Sequence, residues 1–433
     1  MLNQDEQRRL LVLNEVISGR LTAWRAGELL GLSERQVRRI LAAYREEGAA
    51  AVAHGNRGRR PANALGESIR EQVLELARTK YTGFNHLHLS EMLVEEEKLS
   101  VGQSSARRIL ADAGMPSPRK RRAPKHRSRR ERYPKEGMLL QIDGSPHDWL
   151  EGRGPTMCLI AGIDDATGTV PFGLFRTAED SAGYFLLMRG VVAKKGRPVA
   201  IYRDRHRIFE TPAKEVPTLA EQLAGRREPT QFGRLLEELA ITSIPARSPQ
   251  AKGRIERLWG TFQDRLTSEM RLKGISSREE ANRFLPGFLD RYNRRFAVPA
   301  AEEGSAYRPL PEGVEPERVF CFKHTRTVAA DNVVSFDHDR LQILADPERA
   351  SYARLEVEVH QRLDGALAVF YQGRRLRVRP APLEAAALRA RPHEAVGAGR
   401  PPIERAGGSP GKPAGNPAWG KHFKLPGSRP SSP

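Results

Sequence analysis

The sequence has little cysteine and no long apolar run. Only two cysteines, Cys158 and Cys321, occur in 433 residues, and they lie far apart, which excludes a disulfide framework and a cysteine-rich zinc module. No apolar run approaches the roughly 20 residues of a membrane-spanning helix. The N-terminus, MLNQDEQRRL, is charged and does not resemble a signal peptide. These absences predict a cytoplasmic protein with no membrane partner.

Positive charge, by contrast, is abundant. The chain has 72 Lys and Arg against 53 Asp and Glu, a formal net charge of +19. Such a balance favours a polyanionic partner, and nucleic acid is the first candidate. A merely basic soluble protein or a ribosome-like protein stays open on charge alone. The length predicts more than one domain.

Residues 1–60 are predicted to form a helix-turn-helix domain. Gly31 and Leu32 form a tight turn, and Ser33 with Gln36 three residues later is a capping box that begins the next helix. The helix after Ser33 would enter the major groove of DNA, where arginine and glutamine read guanine and adenine edges. The residues expected to face the DNA are Arg35, Gln36, Arg38 and Arg39. The alternative is a helical hairpin with a solvated basic face.

The next segments are also basic. Arg57, Arg59 and Arg60, in HGNRGRRP, lie either along a minor groove or in a flexible linker. Residues 61–117 predict a second helical DNA-binding domain of winged or helix-turn-helix type, with Arg107 and Arg108 exposed. Residues 118–132 predict a basic linker that binds the phosphate backbone, since positions 119–132 carry nine Lys and Arg.

The remainder predicts a multidomain chain with an α/β core. Residues 133–300 read as a three-stranded meander followed by alternating helices and strands, the order of a ribonuclease H-like fold. An extended linker, 301–317, leads to short alternating strands over 318–380, which predict a small all-β barrel, SH3-like by analogy. Residues 385–433 are rich in Pro and Gly with basic residues, and predict a disordered tail.

Three acidic residues of the core are candidate metal ligands. Asp143 and Asp204 each follow a short apolar run and so lie at strand ends, and Glu256 lies in a helical pattern. Converging carboxylates form an oxygen-only site suited to Mg²⁺. Lys252, one helical turn before Glu256, would hold a phosphate, and Arg254 would contact flanking DNA. The alternative for Glu256 is a salt bridge on a surface helix.

Other acids of the core compete for the same role. Asp148 and Glu151 lie in the first hairpin turn and are expected to be exposed. Asp164 and Asp165 lie at a β-turn, where aspartate is favoured for local hydrogen bonding. A turn role is therefore favoured over a metal role for all four.

Five segments together resemble the ISNCY-type insertion-sequence transposases. These segments are QIDGSPHDWLEGRGP, IDDATG, YRDRHRIF, TQFGRLLEEL and SPQAKGRIERLWGTFQDRL. The resemblance extends from the helix-turn-helix to about Pro380. Two departures are Arg203, where related transposases usually have threonine, and the 52 positions between Asp204 and Glu256, a longer spacing than integrases usually show. A polar insert at about 211–229 accounts for the excess.

The resemblance implies a retroviral-integrase-like DDE core with Asp143, Asp204 and Glu256 as the metal-binding triad. It also implies two Mg²⁺ ions, with Mn²⁺ able to substitute, and binding of double-stranded DNA at element ends and targets. The reaction would be strand cleavage and strand transfer by a homo-oligomer. Two alternatives are a catalytically inert DNA-binding regulator derived from a transposase, and a ribonuclease H-like nuclease that cuts without joining.

Overall fold

A computed structural model describes most of the chain. The residues described are 3–53, 65–118, 123, 131–211, 216, 219–225, 227–246 and 252–381. Arg57, Arg59 and Arg60, most of the basic run at 119–132, and the tail at 385–433 lie outside the described residues.

The N-terminal region forms the three predicted helices. They are α1 (Gln4–Ile17), α2 (Ala23–Leu30) and α3 (Glu34–Glu47). Ser33 caps α3 as predicted: its side chain accepts from the Gln36 backbone N–H, and its own N–H donates to Gln36 Oε1 at 2.9 Å. Gly31 ends α2 with a φ of 65°, a conformation that favours glycine. Local hydrogen bonding therefore fixes the turn that sets α3 against α2.

A second helical region follows. It consists of α4 (Glu67–Arg78), α5 (His86–Glu95) and α6 (Gln103–Asp112). Its core includes Val73, Leu93 and Leu110. Among the described residues 65–118 there is no strand, so the wing of the predicted winged domain is not formed there.

The central sheet has the predicted meander followed by parallel strands. Its strands are β1 (Leu139–His147), β2 (Met157–Asp164), β3 (Phe172–Arg176), β4 (Ala200–Arg203) and β5 (Thr242–Pro245). The order across the sheet is β3-β2-β1-β4-β5. β2 is antiparallel to β1 and β3, whereas β4 is parallel to β1 and β5. The carboxyl ends of β1, β4 and β5 therefore share one edge.

Helices cover both faces of this sheet. They are α7 (Ser181–Lys194), α9 (Gln231–Glu238), α10 (Gly253–Leu272) and α11 (Arg278–Phe296). A short helix, α8 (Leu219–Ala224), lies between β4 and α9 along the chain. Because side chains alternate along a strand, Leu140 and Ile142 of β1 pack in the core formed with α7 and α9. Gln141, Asp143 and Ser145 point to the opposite face, on which α10 and α11 pack. The candidate acid of β1 thus faces α10.

The C-terminal strands form two sheets. The elements are α12 (Pro316–Val319), β6 (Cys321–Thr327), β7 (Val333–Phe336), β8 (Asp339–Ile343), β9 (Glu356–Arg362), β10 (Leu367–Tyr371), β11 (Arg374–Leu376) and β12 (Val378–Pro380). Their orders are β11-β10-β9-β6 and β12-β8-β7. The predicted SH3-like barrel is not confirmed. β6 instead bonds to α9 of the core, where Gln231 Nε2 donates to the Lys323 carbonyl at 2.7 Å.

By backbone contacts the chain divides into two compact units. Of the described residues, the first unit comprises those up to Thr325 and Val357–Arg375, and the second comprises 326–356 and 376–381. The five-stranded sheet and the helices α1 to α11 belong to the first unit. None of the helices described in either unit is long and apolar enough to cross a membrane.

Candidate active site

Asp143 is held by two side chains of α10. Its side chain is 19% exposed, and Oδ1 lies 2.6 Å from the Lys252 Nζ. Its other oxygen, Oδ2, accepts a hydrogen bond of 2.9 Å from the Trp259 indole N–H. Both carboxylate oxygens are therefore oriented by one helix.

Asp204 lies beside it because β4 runs parallel to β1 and ends immediately before this residue. Lys252 Nζ is 3.8 Å from Asp204 Oδ2. The other oxygen, Oδ1, accepts the His206 backbone N–H at 2.9 Å. One ammonium group thus lies between two carboxylates, and two oxygen donors converge on a cation, as a divalent metal with oxygen ligands requires.

Glu256 is placed differently from the two aspartates. It lies in the first turn of α10 and is exposed. In the part of the chain that the structure describes, no group of three or more His, Cys, Asp and Glu side chains could hold a metal ion. Glu256 is nevertheless three residues before Trp259, which puts the two residues on adjacent positions of one helical face. The donor set fits Mg²⁺ through the two aspartates, and Glu256 must turn toward them to join it.

Arg254, which is predicted to contact DNA, forms an ion pair with a buried aspartate in this structure. Its Nε donates to Asp165 Oδ1 at 2.7 Å, and its side chain is only 14% exposed while that of Asp165 is 0% exposed. A buried carboxylate needs a paired counter-charge, and Arg254 supplies it. Arg254 therefore points into the protein in this structure.

Asp164 and Asp165 are both buried, and the side chain of Asp164 makes the local hydrogen bonds of a turn. Asp164 accepts the Gly137 N–H at 2.8 Å and the Thr167 N–H and hydroxyl at 2.9 Å. Burial raises the pKa of Asp164 above its usual value, although these hydrogen bonds act in the opposite sense. The Thr167 contacts are those expected of a turn aspartate, whereas the side chain of Asp165 bonds to residues distant in sequence.

Arg203, which departs from the usual threonine, has a structural role. It is buried, and its guanidinium bonds Ser243 Oγ at 3.0 Å and Glu210 Oε2 at 2.8 Å. These contacts tie the segment after β4 to β5. The departure therefore fixes the backbone next to Asp204 and removes no acidic group.

The predicted DNA-contacting residues of the helical regions are exposed. On α3 these are Arg35, Gln36, Arg38 and Arg39, and on α6 they are Arg107 and Arg108. Arg38 forms an i,i+4 ion pair with Glu34, and the Gln36 side-chain oxygen is used in the cap. The exposed faces of both helices are thus polar and basic.

Two contacts to β1 were not predicted as part of the site. Trp259 orients Asp143, and Gln263 Nε2 donates to Ser145 Oγ at 3.2 Å. The sequence signal was the shared helical face of Lys252, Trp259 and Gln263, with a period of 3.6 residues. The sequence does not show which strand this helical face packs against.

An exposed basic helix-turn-helix and an α/β core with converging carboxylates are together typical of DNA-processing proteins. Residues 8–62 match the sequence family described as "Helix-turn-helix domain". The chain is 38% identical over 380 residues to the protein named "Putative transposase y4bF" of Sinorhizobium fredii, which covers 87% of this chain and 80% of the relative. It is also 32% identical over 330 residues to the transposase for insertion sequence IS1202 of Streptococcus pneumoniae. This alignment covers 67% of this chain and 68% of the relative.

These relatives establish the family. The chain belongs to the insertion-sequence transposases, and it is a DNA transposase with a helix-turn-helix domain.

Two solved structures also show limited similarity. One is the simian T-cell lymphotropic virus intasome in complex with a PP2A regulatory subunit, with a TM-score of 0.30 and 15% identity, covering 72% of this chain and 99% of that chain. The other is the HTLV-2 integrase catalytic core domain in complex with magnesium, with a TM-score of 0.24 and 15% identity, covering 35% and 83%. At these TM-scores the superpositions do not establish a common fold.

Proposed function

We propose that this transposase cleaves DNA at the ends of its element and transfers the freed strand to target DNA, with a DDE site in a ribonuclease H-like core. Asp143, Asp204 and Glu256 form the site. The observation that carries the proposal is the Lys252 ammonium, which lies 2.6 Å from Asp143 and 3.8 Å from Asp204. Acids from neighbouring parallel strands thus already converge on one positive charge.

The three acids and Lys252 have distinct tasks. Asp143, Asp204 and Glu256 would hold two Mg²⁺ ions, and Mn²⁺ would be able to substitute. When bound, such ions activate an attacking oxygen and stabilise a leaving oxygen at a phosphodiester. Lys252, once it leaves Asp143, is placed to bind a phosphate beside the reacting one.

The helical regions supply DNA recognition. We infer that α3 enters the major groove, where arginine and glutamine read base edges. Arg107 and Arg108 of α6 and the basic segment at 118–132 would bind phosphates, and Arg57, Arg59 and Arg60 would lie in a minor groove. Bringing two element ends together requires more than one copy of the chain, so the active form is a homo-oligomer.

A strand-joining assay tests the proposal. A labelled oligonucleotide from the DNA flanking this reading frame is incubated with the full chain and plasmid, with Mg²⁺, with Mn²⁺ and with EDTA. We expect cleaved and joined products with either metal and none with EDTA. Cleavage without joining would establish a nuclease instead, and DNA binding without metal-dependent chemistry would establish an inert regulator.

Trp259→Phe tests the orientation of Asp143. The change keeps an aromatic side chain but removes the N–H that bonds Asp143 Oδ2 at 2.9 Å. A hydrogen bond to a charged group contributes about 1.5–3 kcal/mol, so the cleavage rate is expected to fall roughly 10- to 100-fold.

Trp149→Phe is the matched control for this change. Trp149 is fully buried, and its indole N–H donates at 3.0 Å to the backbone carbonyl of Ser145 rather than to an acid of the site. Trp149→Phe is expected to lower stability and leave the cleavage rate of the folded protein near that of the wild type. Equal cleavage rates in the two variants would contradict a specific role for Trp259.

A further inference from the structure

The first turn of α10 carries Glu256 but has no capping side chain. Lys252 occupies the N-cap position, and no side-chain hydrogen bond caps the helix there. An uncapped helix end leaves backbone N–H groups unsatisfied and tends to fray. Two side-chain contacts hold this turn to the sheet instead: Lys252 to Asp143, and Arg254 to Asp165.

Asp165 is a fixed point of the fold. Its Oδ1 accepts from Arg254 Nε and from Gln141 Nε2, each at 2.7 Å, and its Oδ2 accepts the Tyr133 N–H at 2.9 Å. Its own backbone N–H donates to the Leu139 carbonyl at 2.9 Å. A fully buried carboxylate with this many donors cannot shift without loss of several hydrogen bonds.

The Lys252–Asp143 and Arg254–Asp165 contacts would respond differently to metal binding. The bond from Lys252 to Asp143 uses an oxygen that a metal ion would need, so a bound metal would compete with it. The Arg254 pair involves Asp165, which is outside the proposed metal site. Arg254 is therefore the contact that can hold the turn while metal is bound.

We propose that Arg254 and Asp165 are a positioning pair that orients Glu256, the third acid, from within the same helical turn. This inference rests on the proposed function. In this proposal Arg254 acts inside the protein, and Arg257 contacts DNA. Arg257 follows Glu256 directly on the same helix and is exposed. Residues behind a metal ligand commonly change metal affinity 10- to 100-fold when they are replaced.

Binding of Mn²⁺ to the full-length protein, followed through the EPR signal of the free ion, tests the pair. Arg254→Gln, Asp165→Asn and Glu256→Gln are each expected to weaken Mn²⁺ binding by about 10- to 100-fold. Arg254→Lys, which can still pair with Asp165, should retain most of the Mn²⁺ affinity. The affinity for element-end DNA, measured by fluorescence anisotropy, should not fall in any of the four.

Two matched arginine variants separate this role from others. Arg257→Gln should keep the wild-type Mn²⁺ affinity and weaken DNA binding. The slope of log K against log salt concentration should fall by about 1, as expected for the loss of one phosphate contact. Arg265→Gln breaks another buried ion pair of α10, with Glu91, and should lower thermal stability without changing Mn²⁺ affinity. It therefore controls for general destabilisation.

The outcomes distinguish the inference from the function on which it rests. If Glu256→Gln weakens Mn²⁺ binding and Arg254→Gln does not, the positioning pair is wrong and the triad stands. If Arg254→Gln weakens DNA binding and leaves Mn²⁺ binding intact, Arg254 is a DNA contact. If Glu256→Gln leaves Mn²⁺ binding unchanged, Glu256 is not a ligand, and both the triad and the positioning pair are overturned.

Discussion

Asp143→Asn is expected to abolish strand cleavage and strand joining, with a loss of at least about a thousandfold, while the protein still binds element-end DNA. The change removes one of the two negative charges that converge on Lys252. A catalytic metal ion contributes several kcal/mol of transition-state charge stabilisation, and about 4 kcal/mol corresponds to a thousandfold in rate. Single-turnover cleavage of a labelled end oligonucleotide measures the effect.

DNA binding should not fall in this variant. Asparagine carries no charge, so Lys252 loses its closest partner and becomes available to a phosphate. The site also becomes less negative, which favours a polyanion. We therefore expect end-DNA affinity, measured at fixed salt, to equal or exceed that of the wild type. A parallel loss of binding and cleavage would indicate misfolding rather than loss of a metal ligand.

Asp148→Asn is the control for a lost acid near the same strand. Asp148 lies just beyond β1, is exposed, and accepts the Gly152 N–H at 3.2 Å in a local turn. Its replacement should leave the cleavage rate within a few-fold of the wild type. If Asp143→Asn retained cleavage while Asp148→Asn lost it, the assignment of the first acid would be wrong.

The parts of the fold that local chemistry determines could be predicted from the sequence. Ser33 and Gln36 define the start of α3 because a capping box involves only four consecutive residues. The apolar runs before Asp143 and Asp204 indicate two strands, and parallel pairing of these strands places the two acids near each other. The predicted strand end at Asp143 is wrong, because β1 continues past it to His147. The neighbourhood of these two acids follows from patterns that are short in sequence.

The parts that depend on distant partners could not be predicted in this way. The ion pair of Arg254 could not be predicted, because nothing in its own helix shows that it contacts Asp165, which lies 89 positions earlier. Whether the strands of 318–380 close into one barrel depends on long-range pairing, and they form two sheets. Burial of charge and closure of sheets are tertiary effects that local periodicity does not encode.

The same limit applies to the second helical region, which was predicted as a DNA-binding domain of its own. Its helix α5 meets α10 through buried polar side chains. Asn85 donates to Asp264 at 2.5 Å, His88 lies 3.2 Å from Glu269, and Glu91 pairs with Arg265. Burial raises the pKa of Glu269, but hydrogen bonds from His88 and Arg291 outweigh it and hold the pKa below its usual value. This region is thus joined to the helix that carries Glu256.

Glu91→Gln is expected to destabilise this junction strongly. The side chains of Glu91 and Arg265 are only 7% and 9% exposed, and Arg265 Nη2 donates to Glu91 Oε1 at 2.9 Å. Arg295 adds a second pair at 2.6 Å. Removal of one partner leaves buried charge without compensation, which typically costs 3–5 kcal/mol, so we expect a loss of about 3–5 kcal/mol in the free energy of unfolding measured in urea.

Apolar replacement of both partners separates the cost of an unpaired charge from the contribution of the pair. Replacing both partners with apolar residues, Glu91→Met with Arg265→Leu, should recover most of the stability that Glu91→Gln loses, because no buried charge is then left alone. Asp290→Asn is the control: its 3.9 Å pair with Lys194 is about half exposed on both sides, and such pairs contribute about 0–1 kcal/mol. If the double variant is as unstable as the single one, the pair itself contributes the stability. If Glu91→Gln is as mild as Asp290→Asn, α5 is not fixed to α10 by this charge.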